Sequence, residues 1–299
     1  LYLCLENNNT SKENFSIIDY GGGSGVFSLL AKEYGINKVI YNDIYDVSCN
    51  DIEKLSKVLN LNIDENICGD ITDLIISLKN KNIFINALSS YDVIEHIYDI
   101  EHFLINLKNI SNNNFRIILG SGANERNPII KRQLQKKHHL FEYTTRPATY
   151  GYKHRDSLKS FLKIREEIIS ESNPDLDNNT VKMLAHKTRG LIKKDILNSV
   201  DEFIKDGNMT YSPNHPTNSC DPLNGNWNEQ LINPDWLKDI LNSEGFKAKV
   251  LPGFWGEATQ RFKTISKRLI NVFIVFSGRY NLLASPYYVI FAEYRSKSD

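Results

Sequence analysis

A loop containing four glycines is the feature of this sequence that most directly suggests ligand binding. The segment Asp19–Gly25 (DYGGGSG) follows an apolar run and precedes residues with helical spacing. Glycines let the backbone turn tightly and approach a ligand closely, and the following helix offers unpaired N–H groups at its start. The dinucleotide fingerprint GxGxxG would need glycine where Val26 stands, and no Gly-Lys-Ser/Thr of a phosphate-binding loop follows. A tight turn without a ligand is the alternative.

Acidic residues follow the next two apolar runs. Asp43 ends the second run, and Gly69-Asp70 ends the third. An acid one βα unit after a glycine loop can accept hydrogen bonds from both ribose hydroxyls of an adenosine. The alternative for Asp43 is a turn residue or a helix cap. An acid at the third strand end could reach an adenine amino group. The fourth run leads into Ser89–Ile97 (SSYDVIEHI).

Short apolar runs that alternate with helical spacing predict the elements that hold these residues. The predicted strands are Phe15–Asp19, Lys38–Tyr41, Ile67–Gly69, Ile83–Ser89 and Phe115–Leu119. This alternation implies right-handed crossovers and a parallel sheet covered by helices on both faces. Phe246–Leu251 and Tyr287–Tyr294 alternate like two antiparallel strands that complete the sheet. The predicted fold class is α/β, a Rossmann-like doubly wound sheet of seven strands.

A mainly helical insertion is predicted after the fifth strand. Residues 1–125 form the first part of the core, residues 126–232 the insertion, and residues 233–299 a last helix with the terminal strand pair. The insertion has polar helical segments without a strand pattern: Leu158–Ile169, Val181–Lys194 and Lys194–Ile204. We expect it to form a lid over the acceptor of a reaction.

Taken in order, the motifs resemble those of class I methyltransferases that use S-adenosylmethionine (SAM). The set comprises Asp-x-Gly-x-Gly-x-Gly, then Asp43, then Gly69-Asp70, then Asp-Val-Ile-Glu-His-Ile, each one βα unit apart. The resemblance covers residues 15–122 most fully. His215–Pro222 (HPTNSCDP), with Thr188–Gly190 and Gly225–Trp227, also resembles a bacterial subgroup of this family.

This resemblance implies the cofactor and its ligands. Asp19, Gly21 and Gly23 would hold the methionine part of SAM. Asp43, with Ile44 beside it, would bind the ribose. The remaining contacts would come from Asp70 and Ile71 around the adenine, and from Ser90 and Tyr91 near the sulfonium and its methyl group.

Methyl transfer to a hydroxyl benefits from a general base, and three residues are candidates. His96 follows the fourth strand, although its imidazole could equally cap or pack against the next helix. His215 and Asp221 lie in a proline-rich loop that could shape a binding surface or serve only structure. Trp227 could stack on a substrate, but an anchoring role in the insertion is favoured.

A metal site is not expected. His138 and His139 are neighbours on a predicted helix and point apart. The basic run Lys131–Lys137 is interpreted as a solvated helix face, with recognition of an anionic acceptor as the alternative. Arg146, Arg155 and Arg189 raise the same possibility, because a guanidinium suits phosphate or carboxylate.

Composition limits the other function classes. Lys+Arg and Asp+Glu both number 36, so nothing suggests the basic surface of a nucleic-acid-binding protein. The four cysteines form no CxxC pair, which indicates a reducing cytoplasm without disulfides or structural zinc. The longest apolar run, Leu269–Phe276, is too short to span a membrane and is interpreted as a buried strand or helix turn.

The sequence therefore predicts a SAM-dependent O-methyltransferase for a small polar acceptor, such as a sugar, a surface-glycan precursor or a phosphorylated metabolite. A large lid favours an enclosed small molecule as the partner. The alternatives are an N- or C-methyltransferase of the same fold, and a partner subunit of this fold that binds SAM without catalysis.

Overall fold

The chain divides into two compact units. The computed structural model describes residues 1–6, 10–110, 114–147, 157–257 and 261–294. The sheet unit comprises Leu1–Ile94, Asp99–Asn124 and Asn233–Asp299, and the helical unit comprises Glu95–Tyr98 and Glu125–Ile232.

Seven strands form one sheet in the sheet unit. They are β1 (Ser16–Tyr20), β2 (Lys38–Asp43), β3 (Glu65–Cys68), β4 (Ala87–Tyr91), β5 (Arg116–Ser121), β6 (Phe246–Pro252) and β7 (Tyr288–Tyr294). The strand order is β3-β2-β1-β4-β5-β7-β6, with β1 to β5 parallel and β7 antiparallel to both neighbours. The predicted seven-stranded, doubly wound α/β fold is confirmed.

Eleven α-helices are seen in the described residues. They are α1 (Tyr2–Leu5), α2 (Val26–Glu33), α3 (Asp46–Leu59), α4 (Ile71–Asn80), α5 (Ile100–Asn106), α6 (Pro128–Tyr143), α7 (Phe161–Ser172), α8 (Asn178–Lys187), α9 (Lys193–Asp206), α10 (Pro234–Ser243) and α11 (Arg261–Phe276). Helices α6 to α9 belong to the helical unit. None of these helices is long and apolar enough to cross a membrane.

The central strands are buried on both faces, which is why they read as continuous apolar runs. All five residues of β1 are buried. Ile17 pairs in register with Val39 of β2 and Ala87 of β4, and these residues pack with Ala31 of α2. The order reverses at β1, where the chain first winds towards β3 and then returns to β4. Ligands of such sheets bind beyond the carboxyl ends of the strands at this switch point.

The helical unit has its own apolar core. Ile164, Ile168, Leu184, Ile196 and Val200 are buried there on helices α7, α8 and α9. Helices α6 and α8 begin at Asn127 and Asp177, whose side chains accept backbone N–H groups of the first turn.

Two predicted elements differ in kind from the observed ones, and the fourth strand begins at Ala87 rather than at the predicted Ile83. The continuous helix predicted over Val181–Lys194 is interrupted, because Gly190 adopts φ +90° between α8 and α9. The run Leu269–Phe276 is predicted to be buried, but it forms half of α11 and is mostly exposed, with Ile274 buried. Apolar content alone cannot separate a core element from an exposed apolar one.

Candidate active site

The glycine loop turns at the end of β1 and leads into α2. Gly21, Gly23 and Gly25 have φ values of +67°, +52° and +74°. A Cβ on Gly21 would lie 2.5 Å from Cγ2 of Val93, and one on Gly25 would lie 2.1 Å from Cδ1 of Ile52. By contrast, a Cβ on Gly23 would meet no described atom within 4 Å. A Cβ on Gly22 would lie 2.5 Å from Cε2 of Tyr41. The backbone therefore packs tightly at three glycines of the loop and borders open space at Gly23.

Asp19 fixes the start of α2 and is buried. Its Oδ2 accepts hydrogen bonds from the Ser28 backbone N–H at 3.1 Å and the Ser28 hydroxyl at 2.7 Å. Burial raises the pKa of Asp19 to about 6; the Ser28 bonds oppose this rise, and the charge of Asp43 adds to it. A buried carboxylate beside a second carboxylate favours a cation in its surroundings.

Asp43 at the end of β2 holds the glycine loop in place. Its Oδ2 accepts the Gly23 N–H and its Oδ1 accepts the Tyr45 N–H, both at 2.9 Å. The Tyr41 hydroxyl supports the same loop by donating to the Gly23 carbonyl at 2.6 Å. A carboxylate has about four lone-pair sites, so the two hydrogen bonds leave acceptor capacity at Asp43. Ile44, next along the chain, is exposed.

Asp70 caps the helix that follows β3. Its Oδ1 accepts the N–H groups of Thr72 and Asp73 at 2.7 and 3.2 Å, while Asp73 Oδ2 accepts the Asp70 N–H at 3.0 Å. This reciprocal capping box fixes the backbone at the strand end. Asp70 itself is exposed and Ile71 is buried.

Ser90 and Tyr91 end β4 in different surroundings. Ser90 is buried, and its Oγ has no hydrogen-bond partner among the described residues. Tyr91 is exposed and its ring lies 5.6 Å from that of Tyr287 in an edge-on contact. A Cβ on Gly120 would lie 2.2 Å from Cδ2 of Tyr91, so glycine at that position makes room for the ring.

Tyr20 is a residue of this region that the motif pattern did not predict. Its ring lies 4.9 Å from the ring of Phe103. Burial raises the pKa of the Tyr20 hydroxyl, and the charges of Asp70 and Asp43 raise it further. The hydroxyl therefore stays protonated close to two acids. An aromatic residue directly before a glycine loop was the available signal.

The structure brings Asp19, Gly23 and Asp43 together at the switch point through hydrogen bonds and charge. No Lys or Arg of the described chain forms an ion pair with Asp19 or Asp43. Acceptors at a strand end, an unpartnered Ser90 hydroxyl and open space at Gly23 fit a ligand with hydroxyl groups and positive charge. SAM has both.

His96 belongs to the helical unit, where it pairs with Trp227. Its Nδ1 lies 2.7 Å from the Trp227 carbonyl oxygen, and the backbone N–H of Trp227 donates to the His96 carbonyl at 3.2 Å. Because a carbonyl oxygen can only accept, the neutral ring carries its proton on Nδ1. Nε2 is then the nitrogen that can accept a proton.

His215 has the opposite arrangement. Its Nδ1 accepts the N–H groups of Thr217 and Asn218 at 3.2 and 3.1 Å, so the neutral ring carries its proton on Nε2. Burial lowers the pKa of His215. Asp221 is buried, with Oδ2 accepting the Ser157 N–H at 3.1 Å and Oδ1 the Leu223 N–H at 2.9 Å. Both side chains stabilise the loop in which they lie.

A buried ion pair ties the helical unit together and has no local sequence signal. Arg165 of α7 is completely buried and donates to both carboxylate oxygens of Glu142 on α6. Its Nε donates to the Ala185 carbonyl of α8 at 2.7 Å, and the Ser219 hydroxyl donates to Glu142 at 2.5 Å. Three helices and the proline-rich loop meet at this pair.

His138 also serves this packing. Its Nε2 lies 3.0 Å from the Glu229 carbonyl and its Nδ1 lies 3.2 Å from the Thr217 hydroxyl. Burial lowers the pKa of His138, so the ring is neutral. The described residues contain no group of three His, Cys, Asp or Glu side chains placed to hold a metal ion, and Cys4, Cys49, Cys68 and Cys220 are free thiols.

Several basic side chains of the helical unit form ion pairs or hydrogen bonds within the chain. Lys131 and Lys137 form ion pairs with Glu125 and Glu229. Arg146 is buried, lies 3.7 Å from the centre of the Phe141 ring, and donates to backbone carbonyls.

Arg189 differs from these cations because one of its nitrogens has no partner in the described chain. It donates through Nη2 to the His215 carbonyl at 2.7 Å, whereas its buried Nε meets no acceptor among the described residues. Arg155 lies outside the described residues.

Comparison with known proteins gives structural neighbours only. No protein-family model matches the sequence, and no curated protein matches it. A SAM dependent methyltransferase from Archaeoglobus fulgidus is similar over 94% of this chain and 87% of that one, at 16% identity and a TM-score of 0.42. PKMT2 from Rickettsia typhi, solved in complex with AdoHcy, is similar over 99% of this chain and 52% of that one, at 12% identity and a TM-score of 0.45.

A third neighbour is a magnesium protoporphyrin IX methyltransferase from Synechocystis PCC 6803, solved with bound SAH. It is similar over 94% of this chain and 74% of that one, at 12% identity and a TM-score of 0.39. For PKMT2, the neighbour from Rickettsia typhi, this chain spans about half of the length. At these identities, any assignment of activity depends on the geometry of the chain itself.

Proposed function

We propose that this protein is a SAM-dependent methyltransferase. The observation that carries the proposal is the pair of acids at the switch point, which have no ion pair with a cation of the described residues. Asp43 holds the glycine loop through the Gly23 N–H, and Asp19 holds the start of α2 through Ser28. A ligand bearing an ammonium, a sulfonium and ribose hydroxyls supplies the groups that this arrangement lacks. Asp70 and Ile71 at the next strand end extend the same edge of the sheet.

Each residue would have a defined role in holding SAM. Asp19 and the Gly21–Gly23 backbone would bind the methionine part, and Asp43 with Ile44 would bind the ribose. Asp70 and Ile71 would flank the adenine. When bound, SAM supplies a methyl carbon activated by its sulfonium leaving group. Ser90 and Tyr91 would border that region and exclude water from it.

We further propose that the acceptor is a hydroxyl and that His96 acts as its general base. The Trp227 carbonyl holds the His96 proton on Nδ1, which leaves Nε2 as the basic nitrogen. His215 and Asp221 are weaker candidates, because backbone N–H groups occupy His215 Nδ1 and both Asp221 oxygens. An amine acceptor would need no base. A loss of methyl transfer on substitution of His96 would therefore favour O-methylation over N-methylation.

The helical unit is proposed to bind a small polar acceptor such as a sugar or a phosphorylated metabolite. The Nε of Arg189, unpartnered within the described chain, supports an anionic group on that acceptor, because a buried guanidinium N–H favours an acceptor oxygen. A partner subunit that binds SAM without catalysis is the second candidate, and it would share every cofactor contact proposed for the enzyme.

Calorimetric titration with SAM tests the cofactor, and transfer of a labelled methyl group to candidate sugars and sugar phosphates tests the reaction. We expect saturable SAM binding and methyl transfer that His96→Gln lowers about 100-fold in kcat with unchanged SAM affinity. Absence of binding at high micromolar SAM would overturn the proposal. Binding without transfer to any acceptor class would favour the non-catalytic subunit.

A further inference from the structure

Helix α11 presents its apolar side chains to solvent. Phe276 is 82% exposed and Leu269 is 67% exposed. We define the outer face of α11 as its exposed apolar residues: Ile265, Leu269, Ile270, Val272, Phe273, Val275 and Phe276. Isolated exposed apolar residues are ordinary, but seven of them on one helix are a feature of the kind that marks an interaction site.

The packed face of the same helix is partly polar. The side-chain amide of Asn271 accepts the backbone N–H of Trp255 at 2.8 Å and donates to the Trp255 carbonyl at 2.9 Å. Lys267 lies 5.9 Å from the Trp255 ring centre, and Ile274 is buried. Lys267, Asn271 and Ile274 recur at helical spacing and so lie on one side of α11. The helix is therefore held to the sheet unit by a paired amide while its apolar side is left outside.

The segment that contains α11 carries a net positive charge. Between positions 253 and 287 the sequence has five basic residues and one acid, Glu257, whereas the whole chain is neutral. The basic residues are Arg261, Lys263, Lys267, Arg268 and Arg279. The single acid pairs with Arg268 at 2.7 Å on the surface. A net positive segment with an apolar face is complementary to an anionic, partly apolar surface.

We propose that α11 docks this protein on the surface of an anionic lipid bilayer. Its 16 residues contain no acid and span about 24 Å, which suits a helix lying in the interface rather than crossing it. The aromatic side chains of Phe273, Phe276 and Tyr280 are exposed, as interfacial anchors are. The proposal does not depend on the function proposed for the strand ends.

A second copy of this chain fits the same surface less well. A two-fold dimer over α11 would bring together two segments that each carry five basic residues and one acid, and like net charges oppose that contact. Phosphate headgroups neutralise the cations while the acyl region accepts the apolar side chains. The lipid surface therefore satisfies both features at once.

Sedimentation with vesicles tests the proposal on the full chain. We expect binding to vesicles that contain phosphatidylglycerol and weak binding to pure phosphatidylcholine. The double variant Phe273→Asp/Phe276→Asp should lower partitioning about 100-fold or more, because it removes two exposed aromatic side chains that the bilayer would bury. Phe84→Asp, at a 77% exposed aromatic residue before β4, is the matched control and should bind like the wild type.

The charge contribution is tested separately. Arg268→Gln with Arg279→Gln should weaken binding to the anionic vesicles by about fivefold per cation, and circular dichroism should show an unchanged fold. Failure to bind anionic vesicles, or equal binding to neutral ones, would overturn the proposal. So would a dimer in sedimentation velocity that the double phenylalanine variant dissociates while vesicle binding is absent.

Discussion

Glu142 of the helical unit and two acids of the sheet unit, Asp19 and Asp43, are buried in different surroundings. In the helical unit, Glu142 is paired with the buried guanidinium of Arg165. In the sheet unit, Asp19 and Asp43 lie close together without an ion pair among the described residues, and the pKa of Asp19 is raised to about 6. Of these three acids, Glu142 is compensated by a cation, whereas Asp19 and Asp43 accept only hydrogen bonds from the described residues.

This difference supports a structural role for Glu142 and the binding role proposed for Asp19 and Asp43. The Arg165–Glu142 pair shows one way in which this fold neutralises a buried acid. Asp221 shows another, because backbone N–H groups hold both of its oxygens. Leaving Asp19 without a cation costs free energy in the free protein. The cost is recovered if a cationic ligand enters, which is what the proposed cofactor supplies.

The largest expected effect comes from breaking the compensated pair. Arg165→Met should lower the free energy of unfolding by about 3–5 kcal/mol, because it leaves Glu142 buried without a cation. The matched control is Lys159→Met, which removes a surface pair with Glu167 and should cost about 0–1 kcal/mol. Urea unfolding measures both. Similar values for the two variants would contradict the role given to the buried pair.

Asp19→Asn should act in the opposite direction on stability. The folded protein binds the Asp19 proton more tightly than the unfolded chain, so this contribution is fully present below about pH 4 and is lost as pH rises through about 6. Above that range the variant should be more stable than the wild type by about 2–3 kcal/mol, with no gain at pH 4. Thermal unfolding of both proteins across pH 4 to 8 provides the comparison. A stability difference that does not change with pH would contradict a raised pKa of Asp19 in the folded protein.

Asp43→Asn should weaken SAM binding by about 2 kcal/mol, or about thirtyfold, because an amide is a poorer acceptor for ribose hydroxyls than a carboxylate. Asp51→Asn on α3 is the control, since Asp51 is an exposed residue that forms a surface ion pair with Lys54. Calorimetry measures both affinities. Unchanged affinity in Asp43→Asn would refute the ribose assignment.

The smallest stability effect is expected at Gly23. Gly23→Ala has free space but an unfavourable φ of +52°, so it should cost about 1 kcal/mol of stability. Gly25→Ala should cost more, because its Cβ would lie 2.1 Å from Ile52. If the open space is the ligand site, Gly23→Ala should still reduce SAM affinity. Full affinity in a stable Gly23→Ala protein would place the ligand elsewhere.

Local spacing predicts most of the sheet, because parallel strands buried on both faces leave continuous apolar runs. It also places Asp43 and Asp70 at strand ends, where hydrogen bonds from the N–H groups of Gly23 and Thr72 hold their carboxylates. What spacing cannot supply is any partner distant in sequence. Arg165 and Glu142 are 23 residues apart on different helices, and neither has a local signal.

Exposure and tautomers also lie beyond the reach of the sequence. The run Leu269–Phe276 reads as core because apolar content normally means burial, yet Asn271 holds the helix so that the apolar side faces outward. From sequence, His96 and His215 are both candidates for a base. Only the Trp227 carbonyl and the Thr217 N–H show which ring nitrogen carries the proton in each.

Proton release on SAM binding tests the central claim most directly. Titrations near pH 6 in buffers of different ionisation enthalpy report how many protons leave when the ligand binds. Because Asp19 has a pKa of about 6, a cationic ligand should displace about half a proton from the wild type and none from Asp19→Asn. Binding without proton release from the wild type, or equal release from both proteins, would contradict the claim that Asp19 is a binding partner for a cationic ligand.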